Sequence, residues 1–129
     1  MPHHLTEAAL QARLHAHAPY SKFLVGAAVE DSSGNVHTGC NIENATYGLT
    51  VCAERIAVFK AMSEGVRKFT RIAIAADTDT LTPPCGACRQ ILWEFCGDVP
   101  VTLTNLAGLT REFTVRELLP EAFDDSLLR

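Results

Sequence analysis

The period of the apolar positions changes several times along the chain, and each change predicts an element. Leu5, Ala8, Ala9, Ala12 and Ala16 recur at three- and four-residue steps, which predicts a modest amphipathic helix from Leu5 to about His17, closed by Pro19. Phe23 to Val29 is apolar and too short for a typical helix, so it reads as a strand. Asp31-Ser32-Ser33-Gly34-Asn35 supplies a turn, and Val36 to Ile42 pairs back as the second arm of a hairpin. From Cys52 to about Glu64 the residues Ala53, Ile56, Ala57, Val58, Phe59, Ala61 and Met62 cover most of a helix surface, and Gly65 gives a stop. That helix is expected to be largely buried. Arg71 to Ala76 reads as an interior strand, followed by a polar, Pro-rich loop from Asp77 to Pro84. A helix restarts after Pro84 and runs to about Cys96, and Val99 to Asn105 forms the next strand. Since a helix separates the 71–76 and 99–105 strands, they should run parallel with a right-handed crossover. A short strand near Arg111–Thr114 and a helical turn at Val115–Leu119 complete an α/β pattern: one mixed sheet with helices on its faces.

The 129 residues correspond to about one domain at roughly 150 residues per domain, so residues 1–129 are read as a single unit. With 47% hydrophobic and 20% charged residues, the composition excludes collagen-like, low-complexity and disordered classes. The net charge of -4 has the wrong sign for holding phosphates along a nucleic acid, and a small, weakly charged substrate fits better. The start, Met1-Pro2-His3-His4-Leu5, lacks a basic region followed by an apolar run, and no stretch approaches the ~18 apolar residues of a membrane span. A cytoplasmic protein is expected. Five cysteines cannot all pair, and in a reducing compartment their clustering points to metal or thiol chemistry.

Two motifs open two different predicted helices: Cys52-Ala53-Glu54 and Pro84-Cys85-Gly86-Ala87-Cys88. A helix N-terminus offers unpaired N–H groups and the positive end of the macrodipole, which favour the thiolate that binds metal. Cys85 and Cys88 have the separation of a chelating pair, and Cys52 would be the third ligand. None of the five histidines has a companion metal spacing, so an open zinc position is favoured over a closed structural site. Open zinc beside Glu54 would mean hydrolysis. Arg55, a cation in a first helical turn, opposes the dipole and wants a local anion, which three thiolates would supply.

Each of these residues also has a plainer reading. A lone C-x-x-C fits buried thiols or a thioredoxin-like redox pair, although that leaves Cys52 and Glu54 idle; a binding module with structural zinc is a further rival. Glu54 alone could complement the dipole, and Arg55 could point to solvent. Asn41 and Glu43, two apart at a strand end, could grip hydroxyls or be solvated polar residues. Phe23 and Tyr47 are more often core aromatics, and Cys40 and Cys96 read as small buried apolar residues.

With both motifs in hand, the chain resembles a cytidine deaminase of the short, homotetrameric, zinc-dependent kind. The resemblance runs from Tyr20-Ser21-Lys22-Phe23-Leu24-Val25-Gly26-Ala27-Ala28 through Gly39-Cys40-Asn41-Ile42-Glu43-Asn44-Ala45 and Pro84-Cys85-Gly86-Ala87-Cys88-Arg89-Gln90 to Glu117-Leu118-Leu119-Pro120 and Phe123. It implies a three-layer α/β/α fold with about five strands. It also implies one Zn2+ per subunit on Cys52, Cys85 and Cys88, proton transfer by Glu54, and an Arg55 that moderates thiolate charge. Asn41 and Glu43 would hold the ribose 3′-hydroxyl, Phe23 would lie against the pyrimidine, and the Ala45 backbone would contact the base edge. Tyr47 would help line a pocket shared between subunits of a homotetramer, and Phe123 would be lent by a neighbour. The implied reaction turns cytidine and 2′-deoxycytidine into uridine and 2′-deoxyuridine plus ammonia, a step of pyrimidine salvage. One departure is local: Glu121 stands where the family often has Gly or Ser after the proline.

Overall fold

The computed structural model describes residues 3–128; Met1 and Pro2, which belong to the start read above, lie outside them. The chain forms α1 (His3–Arg13), β1 (Val25–Asp31), β2 (Val36–Cys40), α2 (Ala53–Ser63), β3 (Phe69–Ala76), α3 (Gly86–Cys96), β4 (Pro100–Thr104), β5 (Thr110–Thr114) and α4 (Val115–Leu118). Short 3-10 turns occur at Tyr47–Leu49 and Asp125–Leu128. The strands make one sheet in the order β2-β1-β3-β4-β5. β1 pairs antiparallel with β2 and β3, β3 pairs parallel with β4 across α3, and β4 pairs antiparallel with β5.

Alternation along the strands sorts the core into two layers. Ala27, Val29, Ile72, Ile74, Val101 and Leu103 pack with Ala57, Val58 and Ala61 of α2 and Leu92 of α3. Ala28, Ala73 and Ala75 meet Leu5 and Ala9 of α1 on the other face. The result is the expected α/β/α arrangement. Small residues set the spacing of both outer layers. A Cβ on Gly26 would stand 2.0 Å from the Ala9 carbonyl oxygen, and one on Gly39 would stand 2.5 Å from the Ala53 carbonyl oxygen and the Ala57 nitrogen. Gly39 thus lets the first turn of α2 lie against β2.

Several boundaries differ from the sequence reading. α1 ends at Arg13, because Leu14, His15 and Ala16 donate to carbonyls only three residues back and so tighten the chain into a turn. Pro19 is not what stops it. His17 then exchanges backbone bonds with the second arm of the hairpin, its N–H to the Asn41 carbonyl at 2.9 Å and its carbonyl to the Glu43 N–H at 2.8 Å. β1 begins at Val25, two residues later than expected, since Lys22 takes the left-handed conformation with φ 61°. β3 starts earlier, at Phe69, which pairs with Asp31 across a bulge. The Asp31 carboxylate closes the hairpin by accepting from Ser33 N–H, Asn35 N–H and the His37 ring. Among the described residues, no helix is long and apolar enough to cross a membrane.

Candidate active site

Two helix starts converge at the end of the sheet where β1 begins and β3 finishes, Val25 lying opposite Ala76. Cys52 is the N-cap of α2 and Cys85 the N-cap of α3, both in extended conformation. The Cys85 sulfur accepts from the Cys88 N–H at 3.4 Å, so the second motif folds onto itself in the first turn of α3. Arg89 fixes that turn from outside, its guanidinium donating to the Pro84 carbonyl at 2.8 Å and to the Leu118 carbonyl at 2.7 Å. In the sequence nothing marks Arg89 beyond its place in the same short run.

The sulfurs of Cys52, Cys85 and Cys88 all lie within 4.8 Å of one another. Three sulfurs on one tetrahedral zinc, at about 2.3 Å each, stand about 3.8 Å apart, so the cluster fits the ion with little adjustment. Soft thiolate donors in this number also favour zinc over the oxygen-loving cations. Among the described residues no fourth ligating side chain joins the group.

Charge in this corner is shared tightly. The adjoining Cys88 side chain, and with it the nearby Arg55 cation, draws the Cys52 thiol down to about 6 against the cost of its burial. The Cys88 thiol is held well above its usual range by the neighbouring Cys52 and by burial. Arg55 is drawn to the same sulfurs, Cys88 first, and its charge is reinforced there. Its Nε is buried without a hydrogen-bond partner. Arg55 thus stands in the first turn of α2 beside sulfurs that become anionic when ionised. Glu54, the second residue of α2, is only 5% exposed. Burial pushes its carboxyl up, and the neighbouring Cys52 charge adds to the effect.

Beside the sulfurs lies a cavity of about 190 Å³. Cys52, Ala53, Glu54 and Cys85 line it together with Phe23, Val25, Asn41, Thr50, Ile74, Thr82 and Pro83. A second depression of about 310 Å³ adjoins it through Thr50 and is lined by Tyr20, Ser21, Glu43 and Tyr47. Asn41 and Phe23 thus stand with the sulfurs, while Glu43 and Tyr47 stand next door. The polar atoms of Asn41 already have partners: its amide donates to the Phe23 carbonyl at 2.8 Å and its oxygen accepts from Val25 N–H at 2.9 Å. Glu43 accepts from Tyr20 N–H, Ser21 N–H and the Ser21 hydroxyl, and the last of these does most to hold its carboxyl below the usual range. Ser21 and Thr50 carried no signal that singled them out in the sequence.

Ala45 is exposed between Asn44, whose side chain accepts from Thr46 N–H, and the Tyr47 turn. The Tyr47 ring is 70% exposed and meets Tyr20 edge to face at 5.9 Å. Phe123 is not in the cavity of its own chain. Its ring is exposed, its carbonyl accepts from the Gln90 amide, and the next residue, Asp124, accepts from the Trp93 indole at 3.1 Å. Glu121, at the position of the departure noted above, takes φ 53°, a conformation that suits glycine.

A buried carboxylate beside three metal-binding sulfurs, opening on a small cavity at the end of an α/β/α sheet, defines the class of metal-dependent hydrolases that work by general acid–base transfer. Comparison with known proteins narrows it. Residues 2–103 match the cytidine and deoxycytidylate deaminase zinc-binding region. The chain is 56% identical over 114 residues to a cytidine deaminase of Sporosarcina psychrophila, covering 88% of this chain and 84% of that protein. It is 57% identical over 120 residues to one from Halalkalibacterium halodurans, covering 92% and 91%. A crystal structure of cytidine deaminase from Burkholderia pseudomallei superposes with a TM-score of 0.93 at 48% identity, covering 95% of this chain and 99% of that one. The chain belongs to the cytidine deaminases, in their short, zinc-binding, three-cysteine form.

Proposed function

We propose that residues 1–129 form one catalytic domain that hydrolyses cytidine and 2′-deoxycytidine to uridine and 2′-deoxyuridine with release of ammonia, as a step of pyrimidine salvage. The observation that carries this reading is Glu54, buried against three sulfurs and lining a cavity with room for little more than one heteroaromatic ring. Cys52, Cys85 and Cys88 would hold one Zn2+ per subunit, and Arg55 would offset their charge. When bound, zinc lowers the pKa of water toward ~7 and so makes a nucleophile available at neutral pH.

Glu54 then moves the protons. As a carboxylate it takes one proton from the attacking water and passes it to N3 of the ring, which makes C4 electrophilic while the water oxygen adds there. It next takes the proton left on that oxygen and gives it to the exocyclic amine. The C4–N bond breaks, ammonia leaves, and the 4-oxo ring of uridine remains. Burial favours this double role, because a carboxyl raised above its usual range holds a proton more firmly once it has accepted one and can still return it.

Phe23 would lie along the pyrimidine and the Ala45 backbone would meet the base edge. Asn41 retains one amide N–H beyond its two intrachain bonds, and Glu43 retains part of its acceptor capacity, so both can meet the ribose 3′-hydroxyl. The exposed Tyr47 and Phe123, with the exposed Phe59–Phe95 pair at 6.2 Å, fit a homotetramer with shared sites. Five free cysteines fit the reducing cytoplasm. The deciding experiment is an ultraviolet assay of cytidine conversion with and without a zinc chelator. Conversion that stops on chelation and returns with added Zn2+ supports the reading; undiminished conversion by metal-free protein overturns it.

A further inference from the structure

We propose that Ser21 is a positioning residue for sugar recognition: its hydroxyl leaves Glu43 one acceptor for a ligand and fixes where that acceptor points. This deepens the deaminase reading of the site and rests on it. Oε1 of Glu43 accepts from Tyr20 N–H at 3.0 Å and from Ser21 N–H at 3.2 Å, while Oε2 accepts from the Ser21 hydroxyl. A carboxylate offers about four lone-pair sites, so three are used and one remains, on Oε2. A sugar hydroxyl must therefore share that oxygen with Ser21.

The Ser21 hydroxyl is itself constrained. Its oxygen accepts from Phe23 N–H at 3.0 Å, which leaves the proton to Glu43. The same atom thereby ties the backbone of Phe23, on the wall of the sulfur-bearing cavity, to the carboxylate in the adjoining depression. Between them Lys22 adopts its left-handed φ of 61°, held by a bond from its N–H to the Ala18 carbonyl at 3.0 Å. A non-glycine residue keeps such a conformation only where its neighbours determine it. The turn is thus a built bracket, and Ser21 is the one side chain in it that reaches both parts of the site. No atom of Ser21 is asked to touch the reacting C4, so its effect should fall on sugar discrimination and leave the chemistry nearly intact.

The test compares steady-state kinetics on cytidine and 3′-deoxycytidine for the zinc-loaded wild type, Ser21→Ala and Ser21→Thr. For Ser21→Ala, KM for cytidine should rise about tenfold with kcat within about threefold of wild type, while KM for 3′-deoxycytidine barely moves. Ser21→Thr, which keeps the hydroxyl, should restore the preference. Equal losses on both substrates, or no change in their ratio, would overturn the proposal while leaving the deaminase reading standing. A wild type that converts neither nucleoside sinks both. If Ser21→Ala does not fold, Ser21→Cys carries the comparison, because its thiol fills the space but donates weakly; an unaltered substrate ratio there overturns the proposal equally.

Discussion

The two ends of the site are built by opposite means. At the sulfur end, functional atoms come from the first turns of two helices, and their geometry follows from local capping: Cys52 and Cys85 are N-caps, and Glu54 and Cys88 are the second and third residues of the helices they open. At the sugar end, Asn41 and Glu43 lie past the end of β2, and their side chains bind the backbone of a segment about twenty residues earlier. One end gathers groups whose neighbours leave them free to react. The other uses most of its polar capacity on the fold and keeps a remainder for the ligand. Loss of a sulfur-end group should therefore abolish chemistry in an intact protein, whereas loss of a sugar-end group should disturb binding and the local chain together.

The largest effect that separates the ends is expected from Glu54→Gln. Turnover of cytidine should fall by about 10³-fold or more while zinc content, read by metal analysis, stays near one per subunit. Loss of zinc in that variant would place Glu54 among the ligands and blur the distinction. Next comes the scaffold of the sulfur end: Gly39→Ala drives a Cβ into the first turn of α2 and should cost about 3 kcal/mol in denaturant unfolding, with weaker zinc retention. A tolerated alanine would mean that the sheet does not set the position of Cys52. Glu43→Ala should remove about 1.5–3 kcal/mol of preference for the 3′-hydroxyl, seen as a fall in the ratio of kcat/KM for cytidine over its 3′-deoxy analogue.

The smallest expected effect concerns pH. Burial raises the folded-state pKa of Glu54 above the ordinary 4.5, so in metal-free protein its contribution to stability is fully present below 4.5 and is lost as pH rises through the folded value. Metal-free Glu54→Gln, which cannot ionise, should then gain on wild type in melting temperature as the pH rises above 4.5 and through that folded value. Asp31 has the opposite sign. Its carboxyl is held below 3.8 chiefly by the bond from His37, so its contribution is present above 3.8 and is lost as pH falls through the folded value. The deficit of Asp31→Asn should shrink over that acid range.

How much of this was legible differs between the ends for the same physical reason. Helix starts, caps and the parallel crossover follow from local pattern, so Cys52, Cys85 and Cys88 could be brought together from spacing and connectivity alone. Glu54 stands out in the sequence as a carboxylate beside an open metal position, and Arg55 as a cation that opposes the dipole of a first helical turn. The sugar end depends on contacts between distant segments. The apolar run beginning at Phe23 reads as strand, yet the Ser21 hydroxyl and the Lys22 turn hold Phe23 outside it. Ile42 reads as the last residue of a strand, yet it forms isolated bridges to His17 and Val51 past the end of β2. Arg89 looked like any basic residue on a helix until its two carbonyl partners, one 29 residues away, were visible.

Gathering three sulfurs so closely has a further consequence. Cys85 is exposed, and its sulfur lies within 4.8 Å of the other two, so without an ion between them the thiols are close enough neighbours for oxidation to join a pair. The ion that equips the site for hydrolysis would thus also shield it from air: protein stripped of metal and stored without a reductant should progressively lose its capacity to be reloaded, and thiol titration would show two sulfhydryls vanishing for each site that fails.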